Sequence, residues 1–254
     1  MTRFLVIGGA HMDRRAHLDV ETTMGASNPG HWHEEPGGGG FNAARNLSRF
    51  DNAVTQFSVR GGDAGGRAVE ESAAEFGVDY RPLTYLDRAT PSYSAVLERD
   101  GNLVIGVADM SLYDWFSPRQ LSRRIFRDAI AEADCILCDA NLPEATLIEL
   151  ARRCDGNGKK LAAIAISPAK VIRLEKILAR LSILFLNAAE ARRLCGERSA
   201  PEDWPRILHD KGLDSAVITN GADPVIAFHD SRVFKVHTVR LDRVTDLSVD
   251  GVVV

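Results

Sequence analysis

The sequence predicts an α/β protein with a mostly parallel central sheet flanked by helices and a small β-sheet lid, on three observations. Short apolar segments alternate with segments of helical period from Phe4 to Ile218; nearly every apolar segment ends in polar or glycine residues; and one Asp-Gly hairpin signal interrupts the alternation. The 254 residues are 45% hydrophobic and 26% charged, which suits one large domain with an elaboration better than two equal ones.

Phe4 to Ile7 reads as the first strand and runs into Gly8-Gly9-Ala10-His11-Met12-Asp13. A carboxylate just past the first strand lies where such folds bind ligands, so Asp13 is the first candidate for binding substrate hydroxyls, with a helix or turn cap as the alternative. Residues 14–35 are polar and irregular, with Ser27-Asn28-Pro29-Gly30 as a turn, and are too long for a plain connection. They read as an insertion with strands of its own. His31 and His33 stand two apart without a supporting cluster and read as solvated rather than metal-bound.

The chain is organised around Pro36 to Leu47, Pro-Gly-Gly-Gly-Gly-Phe-Asn-Ala-Ala-Arg-Asn-Leu. Four glycines let the backbone approach a ligand closely, and Phe41 to Phe50 reads as a helix with Ala43, Leu47 and Phe50 on its apolar face. Its first-turn N–H groups are expected to be free for a polar or anionic ligand, with Asn42 in reach and Asn46 one turn on. A flexible surface loop is the plain alternative, but no linker composition flanks the glycines. Gly38, Gly40 and Ala43 also satisfy a loose dinucleotide pattern, yet the glycines do not directly follow a strand, which argues against a nicotinamide-dependent oxidoreductase.

Ala53 to Val59 is the next strand, followed by the turn Arg60-Gly61-Gly62-Asp63-Ala64-Gly65-Gly66, a helix over 67–76 and a short strand after Gly77-Val78-Asp79. Residues 90–98 and 102–107 flank Arg99-Asp100-Gly101 as a β-hairpin. A hairpin has no evident place in a parallel sheet, so segments 14–35 and 90–108 are paired as the lid. A helix over 118–132, the strand Cys135 to Cys138 ending in Asp139-Ala140-Asn141, a helix over 144–153, a strand over 161–166 and a helix over 171–181 follow. Two more strands run into Asn187-Ala188-Ala189-Glu190 and Thr219-Asn220-Gly221. Parallel strands carry these ends along one edge, so Asp13, Asn42, Asn141, Asn187, Glu190 and Thr219 are expected to converge on one cleft.

Cys135 and Cys138 are three apart in an apolar strand, so they face opposite sides and read as core thiols rather than a metal or redox pair. A net charge of −4 offers no general attraction for nucleic acid or an anionic membrane. No apolar run is long enough to span a bilayer and Met1 to Gly9 lacks the features of a signal peptide, so a cytoplasmic protein is expected.

With these motifs in place the chain resembles the ribokinase or PfkB family of small-molecule kinases, from Arg3 to about Thr245. The likeness rests on the glycines of Gly37 to Asn42, the Arg60 to Gly66 turn, Asn187-x-x-Glu190 and Thr219-x-Gly221. Within the family it is most similar to pseudouridine kinases, through Gly8 to Asp13, Ser27 to Gly30, Thr90-Pro91-Ser92-Tyr93-Ser94, Ala108-Asp109-Met110, Asp139-Ala140-Asn141 and Ser167-Pro168-x-Lys170. The resemblance implies a ribokinase-like three-layer sandwich and ATP-dependent phosphorylation of a sugar or nucleoside hydroxyl, most readily that of pseudouridine. It implies that Asp13, Gly38, Gly39 and Asn42 hold the substrate, that Asn28 and Tyr93 close over it, and that Asn141 approaches the same pocket. It further implies that Asn187 and Glu190 organise Mg²⁺ through water, that Thr219 and Gly221 face ATP, and that a homodimer forms through the lid.

Family members carry a Gly-Ala-Gly-Asp motif that supplies the anion hole and the catalytic base. Here Leu241-Asp242-Arg243-Val244-Thr245 reaches the approach to it and continues Asp246-Leu247-Ser248-Val249-Asp250-Gly251-Val252-Val253-Val254. The sequence therefore reads as a C-terminally truncated family member with no catalytic residue assigned and impaired turnover, Asp246 and Asp250 being loop charges. Pro224 for a glycine and Ser167 for an aspartate are smaller departures. A catalytically silent nucleoside- or sugar-binding protein or fragment is the alternative.

Overall fold

The computed structural model describes residues 1–237. The chain enters as β1 (Arg3–Ile7), leaves for β2 (His11–Leu18) and β3 (Gly30–Gly37), and returns through α1 (Gly39–Ser48). Next come β4 (Ala53–Phe57), β5 (Val59–Gly61), α2 (Ala64–Glu75), β6 (Asp79–Tyr80), β7 (Leu83–Tyr85), β8 (Ser92–Leu97) and β9 (Leu103–Asp109). α3 (Arg124–Glu132), β10 (Cys135–Asp139), α4 (Glu144–Gly156), β11 (Lys160–Ile164), α5 (Pro168–Val171), β12 (Ile183–Asn187), α6 (Ala188–Cys195), α7 (Trp204–Asp210) and β13 (Ser215–Asn220) restore the alternation, and β14 (Asp223–His229) and β15 (Arg232–Val236) close it.

The large sheet has the order β15-β14-β13-β12-β11-β10-β1-β4-β6, parallel from β13 to β6 with β14 and β15 antiparallel. Alternate residues of its strands bury on opposite faces. Leu5, Ile7, Ile136 and Cys138 pack with Phe126, Leu147 and Leu150 on one side; Val6, Leu137 and Ile164 pack with Phe41, Ala44 and Val69 on the other. Both faces are therefore roofed by helices, which is why these strands read as unbroken apolar runs. The small sheet is separate, with order β3-β2-β8-β9 and one parallel pair, β2 with β8.

Several boundaries differ from those expected. The small sheet begins at His11 and ends at Asp109, so Asp13 lies inside a strand and is not a cap. α1 starts within the glycines and ends at Ser48, leaving Phe50 76% exposed beyond it rather than on the apolar face. The helix over 118–132 is broken at Arg123, whose extended backbone (ψ 146) separates a 3₁₀ turn, Pro118–Ser122, from α3. The segment 171–181 is a 3₁₀ helix over Ile172–Arg180, entered from the single α turn Pro168–Val171. Val171, Leu174 and Ile177, all buried, are three apart and stand in line on one face at three residues per turn. Helices α6 and α7 and the β14–β15 hairpin were not marked by the strand pattern. The segment Leu241 to Val254, with Asp246 and Asp250, lies outside the described residues.

Candidate active site

The ends of β1 and β10 and the start of α1 meet around one carboxylate, Asp139, which is 0% exposed. Its Oδ2 accepts the N–H groups of Gly9 at 2.7 Å and Gly40 at 2.9 Å and the Nδ2 of Asn141 at 3.2 Å; its Oδ1 accepts the Asn141 N–H at 2.9 Å. Next along α1, the Phe41 N–H donates to the Gly9 carbonyl at 2.8 Å. The first-turn N–H groups expected to be free are thus partly occupied by the protein itself: a buried carboxylate sits where a ligand anion was expected. The signal for Asp139 was the one used for Asp13, an acid at the C-terminal end of a parallel strand.

Asp13 lies beside this junction. His11 Nε2 is 3.4 Å from its Oδ1, and His11 Nδ1 is 3.0 Å from the Tyr113 hydroxyl. Burial, and then the Asp139 charge, push the Tyr113 hydroxyl well above its ordinary pKa, so it keeps its proton and can donate it to Nδ1; in that tautomer Nε2–H points at Asp13. Gly37 closes the other side, since a Cβ there would overlap Asp13 Oδ2. Gly38 has φ 106, open to glycine alone, and a Cβ would also come within 2.7 Å of the Gly9 carbonyl. Tyr93 is Asp13's direct partner across β2 and β8, and its hydroxyl lies over Gly106. Asn42 is one turn into α1; its Oδ1 accepts from Arg45, whose guanidinium stacks over Phe41 and Phe76 at 4.8 and 5.4 Å. Burial lowers the Arg45 pKa, Glu35 acting against it.

Asn28 does not join this group. Its amide serves its own loop, accepting from the Thr23 N–H at 2.7 Å and donating to the Thr23 and Ala26 carbonyls at 3.1 Å each. It lines a cavity of about 430 Å³ with Ala16, Leu18, Trp32, Val96 and Ile105. Ala16 and Leu18 lie an odd number of residues from Asp13 along β2, on the opposite face of the small sheet.

Past β11 the chain turns through Ile166, a β-branched residue at φ 72. Such a backbone costs about 1–3 kcal/mol and persists where the surroundings enforce it. The Ile166 side chain presses against Gly39, where a Cβ would overlap its Cδ1. The turn delivers Lys170, whose Nζ donates to Asn141 Oδ1 at 2.6 Å, and Arg173, whose Nη1 donates to the carbonyls of Ala140, Asn141 and Leu142 at 3.2, 3.0 and 3.4 Å.

Asn187 and Glu190 form a capping box at the start of α6. Asn187 Oδ1 accepts the Glu190 N–H at 2.9 Å, and Glu190 Oε2 accepts the Asn187 N–H at 2.7 Å, with Glu190 3% exposed. Thr219 is paired with Asn187 across β12 and β13, and Gly221 turns the chain into β14 at φ 58 with open space around its Cα. The expected residues thus fall into two groups on one sheet edge: Asp13, Gly38, Gly39, Asn42, Tyr93 and Asn141 near β1 and β10, and Asn187, Glu190, Thr219 and Gly221 at β12 and β13. Two strand spacings, about 10 Å, separate β10 from β12, with Lys170 on the strand connection between them. Among the described residues no cluster of three or more His, Cys, Asp or Glu is arranged to hold a metal directly.

A family model described as pfkB family carbohydrate kinase matches residues 1–247. The chain is 32% identical over 144 residues to the uncharacterized sugar kinase YeiI of Escherichia coli (strain K12), a match over 56% of this chain and 39% of that protein. It is 26% identical over 234 residues to the pseudouridine kinase of Escherichia coli (strain K12), covering 87% of this chain and 71% of that one. Among solved structures, the carbohydrate kinase from Agrobacterium tumefaciens superposes with a TM-score of 0.86 at 52% identity, over 97% of this chain and 79% of that one. The central sheet with helices on both faces, the separate small sheet and the family match over residues 1–247 agree: this chain belongs to the pfkB family of carbohydrate kinases, with the ribokinase-like fold.

Proposed function

We propose that this chain transfers the terminal phosphoryl group of ATP to a hydroxyl of a sugar or nucleoside, with pseudouridine as the first acceptor to test. One observation carries the reading: Asp13 is held between His11 and Gly37 where the two sheets meet, with Tyr93 directly opposite. A fixed carboxylate accepts hydrogen bonds from neighbouring hydroxyls, and phosphoryl transfer asks mainly for such positioning and for charge neutralisation. Asn42 Nδ2 and the Gly38–Gly39 backbone complete the hydroxyl site, and the small sheet serves as a lid that excludes competing water.

Thr219 and Gly221 then face the nucleotide. The capping box suits a Mg²⁺ that keeps most of its waters, since Asn187 and Glu190 offer hard oxygens already oriented by backbone N–H groups; the ion would neutralise phosphate charge. The exposed apolar side chains Trp32, Ile105 and Val107 of the small sheet support a homodimer through the lid. Four unpaired thiols suit the reducing cytoplasm.

A coupled ADP-release assay with pseudouridine, ribose and fructose tests the proposal. Turnover selective for pseudouridine supports it in full; turnover with another acceptor keeps the kinase and changes its substrate. Binding of pseudouridine without ADP release favours the silent binding protein, a reading that draws on the hydroxyl site lying wholly within the described residues. Neither binding nor turnover with any of the three overturns both.

A further inference from the structure

Lys170 is half-buried, and among the described residues its ammonium makes one hydrogen bond, to Asn141 Oδ1. Among the described residues no carboxylate lies within ion-pair distance of it, whereas Lys176, Lys211 and Lys235 each reach a glutamate. The Asn141 amide is not free to turn, because its Nδ2 and its N–H are both given to Asp139. Its oxygen therefore faces the lysine. Asn141 is spent on holding Lys170, and two N–H donors of an ammonium remain for a ligand.

The donors left on Lys170, rather than the net charge around it, favour an electron-rich ligand. Arg173 adds a second cation over the Ala140–Leu142 carbonyls, against the buried charge of Asp139 and the exposed one of Asp114. Burial lowers the Lys170 pKa, with the Asp139 charge opposing it, so a group that accepts hydrogen bonds without donating any would relieve an incompletely solvated cation. The strained turn through Ile166 fixes where the lysine stands, and such strain gathers at ligand sites.

We propose that Lys170, rather than Asn141, contacts the ligand at this end of the cleft and takes an acceptor-only oxygen, either a nucleobase carbonyl or a phosphoryl oxygen of the group transferred. Asn141 is the positioning residue through which Asp139 aims it. The proposal rests on the reading of the cleft as a kinase acceptor site.

The test is trace acetylation of the native protein with an N-hydroxysuccinimide ester, read lysine by lysine by peptide mass spectrometry against exposed Lys160. It is run on the protein alone and with pseudouridine, ribose or inorganic phosphate. At least one ligand should slow labelling of Lys170 about fivefold or more. Protection by pseudouridine but not ribose assigns the contact to a base carbonyl, and protection by phosphate assigns it to a phosphoryl oxygen. In Lys170→Met, which keeps the apolar stem, affinity for the protecting ligand should fall at least tenfold. Unchanged labelling with all three ligands, or unchanged affinity in the variant, overturns the assignment. Pseudouridine binding that Asp13→Ala abolishes while Lys170 stays unprotected removes the lysine and leaves the kinase reading standing. Protection by phosphate with no nucleoside or sugar bound does the reverse.

Discussion

Asp139→Asn keeps the shape of a side chain that joins three segments and removes one of its acceptors. An amide oxygen in place of Oδ2 can still receive Gly9 N–H, Gly40 N–H and Asn141 Nδ2, but as a neutral acceptor. The new NH₂ group, in place of Oδ1, faces the Asn141 N–H donor to donor at what is now 2.9 Å. Hydrogen bonds to a charged group contribute about 1.5–3 kcal/mol against about 1 for neutral ones, and a buried donor left unsatisfied costs about 1–3 kcal/mol. With some relaxation of the loop, the substitution should destabilise by about 2–4 kcal/mol, a large part of the roughly 5–15 kcal/mol available to a domain. Urea unfolding should show the midpoint lowered by about 1 M with an unchanged slope. Amide exchange at Gly9, Gly40 and Asn141 should accelerate together. A midpoint shift below about 0.2 M with unaltered exchange at these amides would refute the reasoning.

Gly37→Ala should leave stability nearly unchanged yet weaken ligand binding as much as Asp13→Ala does, because the backbone there accepts alanine and only the Asp13 carboxylate must swing aside; calorimetry beside a thermal melt checks it. In α4, the hydrogen bond from Arg152, with Arg153, holds the Glu149 carboxyl at about 2. This folded value lies below the unfolded one of about 4.3, so the stabilisation is present above about pH 4 and is lost as pH falls toward about 2. After screening it amounts to roughly 1 kcal/mol, so the stability gap between wild type and Glu149→Gln should narrow over that window; a gap that widens on acidification contradicts it. Burial pushes the Cys154 thiol up to about 12 and the Cys195 thiol up to about 11, so alkylation at mildly alkaline pH should be far slower at both in the native protein than in urea.

The sheet was legible because each parallel strand is an apolar run ending in polar residues, as in Leu5-Val6-Ile7 and Ile136-Leu137-Cys138. The glycine cradle was legible because four glycines before an apolar stripe have few other uses. The filling of α1's N-terminus was not, since the bond from Gly40 to Asp139 spans 99 residues and that from His11 to Tyr113 spans 102. Local pattern reports a residue's place on its own element, and such partners belong to the tertiary fold. For Asn28, a turn residue quoted for its likeness gives no sign of which face of the small sheet its loop covers, nor that its amide bonds to Thr23 and Ala26. Phe50 misled because the helix ended two residues early, and the apolar period ran on past the backbone that would have turned it inward.

Isothermal titration calorimetry of pseudouridine and of ribose into the wild-type chain and Asp13→Ala tests the central claim most directly. Loss of two charge-assisted hydrogen bonds to substrate hydroxyls, about 3 kcal/mol in all, should weaken binding roughly 100-fold while the variant still unfolds cooperatively. Equal affinity in the two proteins would contradict the account, because the carboxylate between His11 and Gly37 would then hold no substrate.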